Sequence, residues 1–145
     1  MAELTSGSTE IGASPEQIMA VLTDFDAYTQ WAGVRTAEVT GRDPEGRPAE
    51  VAMSVSQMGF EASYALAYEY APGLGGVSWT TKEASGVVKD IHGSYTLEPA
   101  GDSTKVTYEL ALELGISLPG FLKRQAEKQI VSTALEGLKN RVESR

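Results

Sequence analysis

Two periodicities divide the chain. From Val34 to Leu114, apolar and polar residues alternate in short runs separated by turn residues, which predicts a meander of antiparallel strands. In the run Phe60 to Tyr70, one face carries Phe60, Ala62, Tyr64, Leu66, Tyr68 and Tyr70, and the other carries Glu61, Ser63, Ala65, Ala67 and Glu69. Val106, Tyr108, Leu110, Leu112 and Leu114 against Thr107, Glu109, Ala111 and Glu113 repeat this division, and Tyr95 with Leu97 forms a matching set. A sheet built from such strands has an apolar inside. Turn residues at Gly41 to Gly46, Met58-Gly59, Pro72 to Gly76 and Pro99 to Asp102 separate the runs. With a wetter, Ser- and Thr-rich segment from Glu3 to Ile11, the pattern predicts about seven strands.

The flanking regions have helical spacing. Ser14-Pro15-Glu16-Gln17 supplies an N-cap, a proline at the first helical position and a Gln three residues after the cap, which is a capping-box start. Ile18, Met19, Val21, Leu22 and Phe25 follow as one apolar face. A second short helix from Asp26 carries Tyr28 and Trp31 and ends at Gly33. Pro119-Gly120 opens a final helix of about 25 residues, whose second half repeats Ile130, Val131, Ala134, Leu135, Leu138 and Val142 at intervals of three and four. Its first half is less apolar, with Phe121, Leu122 and Ala126 interleaved with Gln125 and Gln129, and with Gln125, Gln129 and Thr133 in one row. An α+β fold follows, in which a curved antiparallel sheet curls around the long C-terminal helix.

Composition narrows the function classes. A chain of 145 residues fits one domain, taken as residues 1–145, and buries roughly two thirds of its unfolded surface. Without cysteine there is neither a disulfide nor thiol chemistry, and the lone His92 makes a metal site unexpected. MAELTSGSTE lacks a cationic start followed by an apolar run, so the cytoplasm is the expected location. No run is long and apolar enough for an integral membrane segment. The net charge of -8 argues against a nucleic-acid partner. Charge is unevenly placed, with 6 basic and 17 acidic residues before position 119 and 6 basic and 3 acidic after it. The basic final helix is read first as a solvated face whose Arg141 and Arg145 complement the helix dipole. Its sharper reading is transient contact with an anionic membrane surface.

Four stretches carry a resemblance to a known family: Ser14-Pro15-Glu16, Asp24-Phe25-Asp26-Ala27-Tyr28-Thr29-Gln30-Trp31, Gly93-Ser94-Tyr95 and Leu118-Pro119-Gly120-Phe121. With the element order, they make the chain similar to the START/SRPBCC superfamily, and within it to the bacterial polyketide cyclase/dehydrase and coenzyme Q-binding branch. The resemblance implies the helix-grip fold and an internal cavity for lipids, polyketides, quinones or other apolar metabolites. It implies catalysis in some branches and binding or transfer in others, since fold does not set activity.

The candidate cavity follows from the strand faces. Leu66, Trp79 and Leu110 are expected in its wall, and the phenols of Tyr64, Tyr68, Tyr95 and Tyr108 are its expected hydrogen-bonding groups. Trp31 either closes one end or anchors the second helix to the sheet. Phe121, Leu122, Gln125 and Gln129 are expected to border the mouth, where water or a ligand completes the amides' hydrogen bonds. His92 lies two residues from Asp90, but alternation puts it on the face opposite Tyr95 and Leu97, outside the cavity. Ser54, Ser56 and Ser78 lack a nucleophile-elbow sequence, and Gly73-Leu74-Gly75-Gly76 lacks the Lys and helix of a phosphate-binding loop.

No catalytic residue, cofactor or metal is therefore expected. The leading reading is a binding or transport protein for a hydrophobic small molecule such as a lipid, isoprenoid quinone or polyketide. The alternative is a cyclase or dehydratase in which cavity tyrosines and Arg35 orient and protonate a polyketone. The acidity disfavours a ribosome-associated interaction role. Monomer and dimer both remain open.

Overall fold

The computed structural model describes residues 4–57 and 60–144. The Met58-Gly59 break, Glu3 as a strand residue, the inward placement of Phe60 and the dipole role of Arg145 lie outside the described residues.

Strand β1 (Thr5–Ile11) leads into helix α1 (Pro15–Leu22), a short 3-10 turn (Phe25–Ala27) and helix α2 (Tyr28–Trp31). Ser14 caps α1 as its sequence predicts, with its hydroxyl accepting from the Gln17 amide while the Gln17 side chain accepts from the Ser14 amide. Gly33 ends the α2 segment at a φ of 75°.

Strands β2 (Thr36–Arg42), β3 (Pro48–Gln57), β4 (Phe60–Tyr70), β5 (Gly76–Gly86), β6 (Val88–Ala100) and β7 (Ser103–Leu114) then run as an antiparallel meander. β1 closes on β7, which gives one seven-stranded sheet in the order β1-β7-β6-β5-β4-β3-β2. The break between β5 and β6 has only Gly86, at a φ of 77°, to mark it in the sequence, and the alternation runs almost unbroken across it.

Register shifts in β2–β3, β4–β5 and β6–β7 bend the sheet, because a bulged strand carries one residue more than its partner. The sheet also parts locally. β5 pairs with β6 only over Gly76–Trp79 against Gly93–Thr96. Beyond that point the Thr81 hydroxyl bridges the gap, donating to the Ile91 carbonyl and accepting from the Ile91 amide, each at 2.8 Å.

Helix α3 (Gly120–Glu143) lies in the concave side of the curved sheet, against β1 and β7, with α1 packed beside it. Val131, Ala134, Leu135, Leu138 and Val142 form its buried face, while Ile130 is half-buried. Glu127 shares that buried face, where the sequence reads as a solvated helix flank. Its carboxylate accepts from Lys123 at 3.2 Å and from the Thr5 hydroxyl at 3.3 Å, so the buried charge is paired. Among the described residues no helix is long and apolar enough to cross a membrane.

Candidate functional site

A cavity of about 400 Å³ lies between the sheet and the middle of α3, which meets it at Gln129, Ile130, Thr133 and Ala134. Tyr64, Leu66 and Tyr68 of β4, Trp79 of β5, Tyr95 of β6 and Tyr108 of β7 line it, together with Gln129 of α3. The strands place these side chains by alternation: all share the concave face, and Ala62, Val106 and Leu110 continue that face into the closed core. The most exposed lining residues, Gly33, Ser56, Gln129 and Thr133, mark the mouth. There the Gln129 side-chain amide donates to the Thr133 hydroxyl at 3.2 Å.

Five expected cavity residues sit elsewhere. Trp31 is buried in α2, which packs against both α3 and β2. The approach is so close that a Cβ on Gly137 would lie 2.2 Å from the Trp31 carbonyl oxygen, so only glycine fits there. Leu110 is fully buried in the closed part of the core. Phe121 and Leu122 are 62% and 41% exposed, and Gln125 is exposed as well. The reason is geometric: α3 meets the cavity at Gln129, Ile130, Thr133 and Ala134, about two turns beyond Phe121 and Leu122.

Other lining residues were not singled out by sequence reading. Met53 and Val55 follow Val51 on the inner face of β3, and Ile91 is in phase with Tyr95. Their alternation is a signal that could have found them. Tyr28 reaches the lining from α2, and Ala32 and Val34 from the turn after it, which no periodicity marks.

The aromatic side chains form a continuous contact series. Trp79 stands 5.7 Å from Tyr68, 5.5 Å from Tyr95 and 5.7 Å from Tyr108 between ring centroids, and Tyr95 and Tyr108 are 4.6 Å apart. Phe25 joins Tyr68 at 5.0 Å to Tyr28 at 4.5 Å. Tyr28 and Tyr70 donate their hydroxyls to the backbone carbonyls of Leu22 and Pro48. Among the described residues, no hydrogen bond involves the phenols of Tyr64, Tyr68, Tyr95 and Tyr108, and all four face the cavity. Loss of hydration pushes the Tyr64 phenol up to about 12 and raises those of Tyr68, Tyr95 and Tyr108 strongly, with neighbouring phenols adding to the rise. At neutral pH every one is a protonated hydrogen-bond donor.

Among the described residues, acidic and basic side chains lie outside this space. Arg35 is exposed and pairs with Glu61 at 3.4 Å, so it does not reach the tyrosines. His92 sits on the outer face, half exposed, with Nδ1 2.9 Å from an Asp90 carboxylate oxygen. Among the described residues no group of acids or histidines could hold a metal ion.

Solved structures share this architecture. A START superfamily protein from Mycobacterium smegmatis superposes with a TM-score of 0.88 at 23% identity, covering 97% of each chain. The Zhui aromatase/cyclase from Streptomyces sp. R1128 gives 0.81 at 12% identity, over 100% of this chain and 96% of that one. A STAR-related lipid transfer protein from Xanthomonas axonopodis gives 0.70 at 21% identity, over 97% and 85%. At such identities the likeness establishes the START-like fold alone. No curated protein matches the sequence. The sequence model for polyketide cyclase/dehydrase and lipid transport proteins matches residues 11–139, nearly the whole chain, and the protein belongs to that family.

Proposed function

We propose that this protein binds and carries a compact hydrophobic small molecule in the cavity under α3. The observation behind this reading is the cavity of about 400 Å³ walled by Leu66, Trp79, Tyr95 and Tyr108, with phenols that have no protein partner among the described residues. Such a volume lies low in the range of about 300–1,000 Å³ usual for ligand sites. A compact polyketide or single-chain lipid suits it better than a long isoprenoid tail. The cyclase reading has less support. Its Arg35 is outside, and burial raises the phenols' pKa, which makes them weaker acids for protonating a polyketone.

Native mass spectrometry of protein purified from its own host tests this reading. A retained small molecule is the expected result. Bare protein that also takes up no apolar dye would overturn it.

The exposed front of α3 supports loading at an anionic membrane surface. Phe121 and Leu122 project there beside Arg124 and Lys128, which have no ion pair among the described residues. Sedimentation with vesicles should require anionic lipid and weaken with salt. Equal binding to neutral vesicles would exclude the charge-based contact.

A further inference from the structure

The cavity wall holds hydrogen-bonding capacity that the protein does not use. Tyr28 in the lining and Tyr70 at the end of β4 give their hydroxyls to the backbone. The phenols of Tyr68, Tyr95 and Tyr108, gathered around Trp79, have no such partner among the described residues. Hydroxyls that border a cavity without a protein partner are placed to bond whatever enters it.

The chemistry of that partner follows from what surrounds the cluster. Burial holds the phenols protonated, and each offers a proton. The described lining contains no Lys, Arg or His. A carboxylate entering this space would give up its hydration and meet no cation, a cost that hydrogen bonds from neutral phenols do not offset. A ketone, quinone or lactone oxygen gives up much less and accepts the same bonds.

Building on the binding reading above, we propose that the cavity selects neutral apolar molecules that lead with an acceptor oxygen and discriminates against the same skeleton carrying a carboxylate, with Tyr95 and Tyr108 as the receiving pair.

Three probes of one shape test it by calorimetry on the full chain: 2-acetylnaphthalene, 2-ethylnaphthalene and 2-naphthoate. The ketone should bind roughly tenfold more tightly than either of the others at neutral pH. Its affinity should also stay level between about pH 6 and about pH 9, where neither ketone nor phenols titrate. In Tyr95→Phe and Tyr108→Phe, the ratio of ketone to hydrocarbon affinity should fall toward one. A thermal melt of each variant shows that it remains folded. Naphthoate or ethylnaphthalene binding as tightly as the ketone, or a ratio that survives both substitutions, would overturn the selectivity and leave the binding reading standing. Failure of all three probes to bind would instead overturn the binding reading itself.

Discussion

The concave side of the sheet is solid at one end and hollow at the other. At the solid end, Ile11, Ile18, Leu22, Val106, Leu110 and Leu138 are at most 2% exposed, and α1 packs beside the second half of α3. At the hollow end, Tyr64, Tyr68, Trp79, Tyr95 and Tyr108 face a cavity beneath the middle of the same helix. Branched aliphatic side chains adjust their rotamers and fill the space between elements. Rigid rings set on a bulged, curving sheet leave room that no neighbour enters, and closing it would bury their phenols without partners. One helix therefore serves as a core element toward its C-terminal end and as one wall of a cavity at its middle.

The largest expected effect breaks the solid end. Leu138→Ala should cost about 2–5 kcal/mol of stability in a denaturant melt, since Leu138 is fully buried, and leave ligand affinity unchanged. A parallel loss of affinity would mean that the two ends are not separable.

Next comes the boundary. Thr81→Val removes both hydrogen bonds to the Ile91 backbone where β5 and β6 part, and should cost about 1–3 kcal/mol, with faster hydrogen exchange at the Ile91 amide. Thr81→Ser should restore most of that loss.

Alkaline pH acts selectively on the hollow end. The Tyr64 phenol is raised by burial from 10.0 to about 12 in the folded protein, so the fold favours its neutral form. The stability associated with that form is complete below pH 10.0 and is lost as pH rises through about 12. Phenolate absorbance from the cavity tyrosines should therefore appear together with loss of the fold. Ionisation well before unfolding would show that the cavity is freely hydrated.

The smallest effect is expected at the mouth. Gln129→Leu should leave the melting temperature level or slightly higher while shifting ligand affinity by a few-fold, because Gln129 is exposed and bonds only Thr133. If affinity does not move, Gln129 belongs to the wet flank of the helix and not to the route of entry.

Much of this architecture is legible in the amino-acid order. Ser14 and Gln17 specify where α1 begins through local hydrogen bonds, and alternation from Phe60 to Tyr70 and from Val106 to Leu114 assigns the faces of β4 and β7. The same alternation puts Tyr64, Tyr68, Tyr95 and Tyr108 on one concave surface and keeps His92 off it. Periodicity is local, and these features depend only on near neighbours.

Other features depend on segments far apart in the chain. Glu127 follows Lys123 at a spacing that reads as a surface ion pair, yet β1 comes within reach of α3 there and buries it. Phe121 and Leu122 look like cavity residues, yet both are exposed, and among the described residues the cavity meets α3 only from Gln129 onward. Trp31 stands against α3 because Gly137, more than a hundred positions later, lets the backbones touch. Periodicity tells which side of an element is apolar. Only the tertiary structure decides what that side meets, because contact depends on where each element ends against its neighbours in space.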